Sequence, residues 1–126
     1  MKTTELMIGD WVEWKHAIEE KYHGIYKIAT IEEGWVDFYD EEGHCCSQPY
    51  DEIHPIPLTE DVRDIVRCHP KMAIFWDDKK TEETGENWYE LRICKDGDTA
   101  LTMEIRYVHE LQHALRLLDI DIDIEL

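Results

Sequence analysis

Apolar residues recur at every second position through most of this chain, and follow the helical period of 3.6 in only two places. "GDWVEWK" (Gly9–Lys15) sets Trp11, Glu13 and Lys15 against Val12 and Trp14, a half-buried strand pattern built from β-favouring residues. "YHGIYKIATI" (Tyr22–Ile31) and "GWVDFYD" (Gly34–Asp40) continue the rhythm, and Glu41-Glu42-Gly43 supplies a turn. Pro49, Pro55 and Pro57 each hold the preceding residue out of helix, so "HCCSQPYDEIHPIPLT" reads as extended chain.

The first helical stretch opens at Thr59, a good N-cap. Glu60 and Asp61 suit the positive helix end, and Val62, Ile65 and Val66 form the apolar stripe. Pro70 stops it. "MAIFW" (Met72–Trp76), a charged loop ending at Gly85-Glu86-Asn87, "WYELRIC" (Trp88–Cys94) and "TALTMEI" (Thr99–Ile105) then read as a three-strand antiparallel meander. The second helical stretch runs from Tyr107 to Leu118, with Val108, Leu111, Leu115 and Leu118 on one face. "DIDIDIEL" (Asp119–Leu126) returns to strict alternation and predicts a terminal strand, closing the protein's own sheet or offering an edge to a partner.

These elements predict an α+β protein. Residues 1–58 have the rhythm of a small SH3-like N-terminal β-barrel or curled sheet. Residues 59–126 follow as a short linker helix, the β-meander, the C-terminal helix and a final short strand. A length of 126 residues suits one folded unit.

Charge narrows the function classes. Thirty acids against thirteen bases give −17, and the excess is spread: −9 over residues 1–58 and −8 over residues 59–126. A field of that sign repels nucleic acid and anionic membrane and favours a basic protein partner. No apolar run reaches the length of a membrane span, and the four cysteines come without a targeting signal. The expectation is a cytoplasmic protein with free thiols.

One motif speaks for chemistry. "HELQH" (residues 109–113) spells the zinc-hydrolase signature: His109 and His113 share a helix face, and Glu110 would activate a metal-bound water. A catalytic zinc needs a third protein ligand. Asp119 has the right chemistry, but six helical residues turn the chain by about 240° net, which carries Asp119 away from His113. "HCC" (His44, Cys45, Cys46) and "CH" (Cys68, His69) lack the spacing that lets a loop wrap a structural zinc, and Cys94 reads as a core residue. No phosphate-binding glycine loop occurs.

Three stretches, "LMIGDWVEW" (6–14), "YDEIHPIPLT" (50–59) and "IRYVHELQHALRLLDIDIDIEL" (105–126), resemble a family of short uncharacterised proteins of Bacteroides-type gut bacteria, their phages and mobile elements. In that family the C-terminal helix often reads Val-His-Gln-Leu-Gln-Asn. His109, Leu111 and Gln112 match it, and Glu110 and His113 depart from it. The resemblance implies no activity, cofactor or active site, and it counts against a shared zinc chemistry.

The expected function is therefore a non-enzymatic interaction or regulatory module, associated with a phage or mobile element, whose acidic surface meets a basic protein. The contact candidates are Glu41, Glu42, Glu82 and Glu83 in the acid-rich turns. Trp11, Trp14 and Trp35 join them, because an exposed Trp beside carboxylates suits a cation or peptide groove. No cofactor is expected. The alternatives are a small zinc-dependent hydrolase using His109, Glu110 and His113, and a nucleic-acid mimic that occupies a host protein's DNA-binding groove.

Overall fold

Val12, Trp14, Ile28, Val36, Phe38 and Ile53, six apolar residues drawn from four strands, are all at most 5% exposed. Their alternation along the chain decides the first half of the fold. The computed structural model describes residues 6–15, 24–39, 42–66, 69–95 and 98–126. The chain divides into two units, residues 1–56 with Leu126, and residues 57–125.

In the first unit, β1 (Trp11–Trp14), β2 (Gly24–Glu32), β3 (Trp35–Tyr39), β4 (Cys45–Pro49) and the two-residue β5 (Ile53–His54) form one antiparallel sheet in the order β4-β3-β2-β1-β5. The expected SH3-like barrel or curled sheet is not formed, because β4 and β5 are the two edges of an open sheet. Closure would need a continuous ladder between them. β5 instead spends its two residues on Glu13 and Trp14 of β1, and β4 ends at Pro49, which has no N–H to donate.

The buried face carries an aromatic cluster. Tyr26 stacks on Phe38 with ring centroids 4.4 Å apart, and Trp14 lies 5.5 Å from Phe38 in a tilted pairing. Trp14 keeps its polar handle satisfied by donating its indole N–H to Glu52 Oε2 at 3.0 Å. Entry into β1 is set by a tight turn. Asp10, fully buried, accepts the Met7 N–H through its carboxylate at 2.8 Å, and Gly9 at φ 92° supplies the left-handed residue the turn requires.

In the second unit, β6 (Met72–Trp76), β7 (Tyr89–Lys95) and β8 (Asp98–Ile105) form the expected antiparallel meander, in the order β6-β7-β8. Helix α1 (Glu60–Ile65) starts where Thr59 predicts. The Thr59 hydroxyl accepts the Val62 N–H at 3.4 Å, and Val62 and Val66 are buried while Ile65 is exposed. The charged loop after β6 is in fact a helix, α2 (Asp78–Thr84). Asp77 caps it by accepting the Lys80 N–H at 3.0 Å, and Gly85 ends it at φ 75°.

Helix α3 (Val108–Leu117) buries Val108, Leu111, Ala114 and Leu115, together with His109 and Gln112. The terminal strand expected at residues 119–126 is absent. The chain leaves α3 through a Schellman turn: the Ile120 N–H reaches Leu115 O at 2.9 Å, and the Asp119 N–H reaches Arg116 O at 3.1 Å. Asp119 takes φ 55° to make it. The alternating isoleucines serve packing without a ladder, with Ile120 and Ile124 buried, Ile122 half-buried and Leu126 exposed.

Candidate interaction surface

With Val36 and Phe38 facing the core, strand alternation turns Trp35, Asp37 and Tyr39 outward. Trp35 is 47% exposed and Tyr39 is 60% exposed, although β3 is an interior strand of the sheet. Asp37 lies between them. Its register partners are Thr30 on β2 and Ser47 on β4, which flank β3 on opposite sides.

Those two partners fix the carboxylate. Thr30 Oγ1 donates to Oδ2 at 2.6 Å, and the Ser47 hydroxyl donates to Oδ1. The Ser47 hydrogen bond, and after it the Thr30 one, holds the Asp37 carboxyl below the usual carboxylate range. The group is thus a permanent anion at neutral pH, anchored from both sides, between two exposed aromatic rings. Glu32 and Pro49 pair with Trp35, which extends the acidic and apolar character of the face.

The remaining candidates divide clearly. Trp11 is half-buried, and the ammonium of its cross-strand partner Lys27 already sits 5.5 Å from its ring centroid. Trp14, at 5% exposure, belongs to the core. Glu42 is exposed and pairs with His44 Nδ1 at 3.5 Å. Glu82 and Glu83 are exposed on α2, on a helix and not in a loop. Glu41 lies outside the described residues. The structure brings Trp35 together with Asp37 and Tyr39, two residues that the sequence reading did not single out as contacts. The alternation in "GWVDFYD" carried that signal, since Trp35, Asp37 and Tyr39 are all odd-numbered while Val36 and Phe38 are even-numbered.

The "HELQH" stretch lies at the start of α3, and its side chains are engaged in packing and capping. Glu110 Oε1 accepts the backbone N–H groups of Arg106 and Tyr107, both at 3.0 Å, which is the return half of a capping box. His109 is 5% exposed, with its ring stacked on Tyr107 at 5.7 Å and met edge-on by His113 at 5.5 Å. The stack continues beyond the helix: the Arg106 guanidinium lies 4.6 Å from the Tyr107 ring centroid and 4.7 Å from that of Trp88. Lys80 covers Trp88 at 3.9 Å, and Arg106 donates to Glu86 at 2.6 Å. With its Oε1 held by two backbone N–H groups, the Glu110 side chain is committed to the start of the helix.

Among the described residues, no three His, Cys, Asp or Glu side chains are grouped so as to hold a metal ion. Cys45 is exposed, and Cys46 and Cys94 are half-buried free thiols. No described helix is long and apolar enough to cross a membrane. Comparison of the chain with protein-family models, with curated proteins and with solved structures gave no match.

Proposed function

We propose that this protein is a binding module that captures a basic segment of a protein partner on the outer face of its first sheet. The observation that carries the reading is Asp37, anchored as an anion by Thr30 and Ser47 between the exposed rings of Trp35 and Tyr39. Aromatic faces attract cations through the ring quadrupole, and the carboxylate adds a full charge at the same place. The overall charge of −17 supports this by steering a basic partner inward and repelling polyanions. The cytoplasmic setting and the link to phages or mobile elements belong to the proposal, the latter resting on the sequence resemblance.

Charge-only recognition makes a different prediction, and the two separate experimentally. Pull-down from the native host is to be compared for wild type, for Trp35→Ala with Tyr39→Ala, and for Glu42, Glu82 and Glu83 changed together to Gln. Loss of the partner in the aromatic double variant, with retention in the triple glutamine variant, supports the sheet face. The opposite pattern returns recognition to Glu42, Glu82 and Glu83.

A further inference from the structure

We infer that the ligand of this face is an extended segment with an arginine seated on Asp37 and further long cationic side chains two residues to either side. The inference rests on the proposed function and adds a residue type and a spacing to it. An ionised carboxylate offers about four acceptor positions, two on each oxygen. Thr30 occupies one on Oδ2 and Ser47 occupies one on Oδ1, so each oxygen retains one.

The two hydroxyl donors come from opposite flanks, since β2 and β4 lie on either side of β3. That leaves a matched pair of acceptors on a carboxylate whose rotation is stopped. The guanidinium fork fits such a pair with two parallel N–H···O bonds, whereas an ammonium binds as a point charge. Preorganisation by Thr30 and Ser47 removes part of the ordering a free aspartate would have to undergo.

Spacing follows from the strand. Successive outward residues of β3 are about 6.6 Å apart, at roughly 3.3 Å per residue. Trp35 and Tyr39 therefore sit one step to either side of Asp37. An extended ligand running along β3 has the same two-residue repeat, so side chains two before and two after its central arginine fall over the two rings. Guanidinium groups stack on aromatic faces more readily than ammonium groups do. The simplest match is Arg-x-Arg-x-Arg, with small residues between.

The test is isothermal titration of the full chain at physiological salt with four synthetic peptides. They are Gly-Arg-Ser-Arg-Ser-Arg-Gly, its isomer with three contiguous arginines, and the alternating peptide with lysine or citrulline at the centre. The inference expects the alternating peptide to bind about tenfold more tightly than each of the other three. It also expects Asp37→Asn to erase the preference for central arginine over lysine, with folding checked by circular dichroism. Equal affinity for the alternating, contiguous and lysine-centred peptides, lost in Trp35→Ala with Tyr39→Ala, overturns the arginine register and leaves the proposed face standing. Binding that ignores both aromatic residues, or no binding of any cationic peptide, overturns the face itself and the inference with it.

Discussion

Glu110 accepts the backbone N–H of Tyr107 at 3.0 Å, three residues back along the chain, and with it the N–H of Arg106. The glutamate of an apparent zinc signature is thereby the carboxylate that ties down the first turn of α3. Removing it leaves two N–H groups at a half-buried helix start without their acceptor. We expect Glu110→Ala to lower stability by about 1 kcal/mol, and Glu110→Gln to recover most of that through its amide oxygen. Urea denaturation of the two variants gives the comparison, and equal stability of Glu110→Ala and wild type would remove the capping role.

The two histidines of the same stretch should behave unequally. His109 is buried beneath Tyr107, so His109→Ala opens a cavity and is expected to lower stability by about 1–3 kcal/mol. His113 is half-buried, and its loss should have the smaller effect. Neither substitution should alter metal content. About one zinc per wild-type chain by elemental analysis, lost in either variant, contradicts this assignment.

Asp119 sits at φ 55° at the end of α3, in a conformation that costs a residue with a Cβ more than it costs glycine. Asp119→Gly is therefore expected to raise stability by roughly 0.5–1 kcal/mol. Deleting residues 119–126 works in the opposite direction, because it exposes the surfaces now covered by Ile120 and Ile124, at roughly 1.5–3 kcal/mol for each buried side chain. Thermal melts of both variants give the comparison. An unchanged melting temperature after truncation contradicts the packing of the tail.

Titration of Asp37 has a defined sign. Its folded pKa lies below the ordinary value of 3.8, so the folded state holds its proton less tightly than the unfolded chain does. The stabilisation from its two hydroxyl bonds is fully present above the ordinary value and is lost as pH falls through the lower, folded value. Carboxyl carbon chemical shifts should show Asp37 titrating below a typical exposed aspartate in wild type. In a variant with both Thr30→Val and Ser47→Ala, its pKa should return towards the ordinary value. A titration unchanged in that variant contradicts the assigned cause.

Much of this architecture is legible in local chemistry. Thr59 marks the start of α1, the prolines end the extended segments, and alternation in "GDWVEWK" sets Trp14 and Lys15 on opposite faces, without saying which face is buried. Helix α2 was hidden because no apolar stripe marks it: "DKKTEET" buries nothing, and only the cap residues Asp77 and Gly85 betray it. The tail misled for the opposite reason, since a clean two-residue pattern in "DIDIDIEL" also fits an irregular segment that buries Ile120 and Ile124. The open edge of the first sheet depends on which strand pairs with which, and periodicity does not encode pairing. The candidate site was half visible: alternation gives the shared face of Trp35, Asp37 and Tyr39, whereas the Thr30 and Ser47 contacts depend on cross-strand register.

The most direct measurement is a map of amide chemical-shift changes in the labelled protein as an arginine-rich peptide is added. The account places the largest changes in residues 30–39 and 45–49, on the three strands that carry Thr30, Asp37 and Ser47. Changes concentrated around Glu82 and Glu83 on α2, with β3 unmoved, would contradict it.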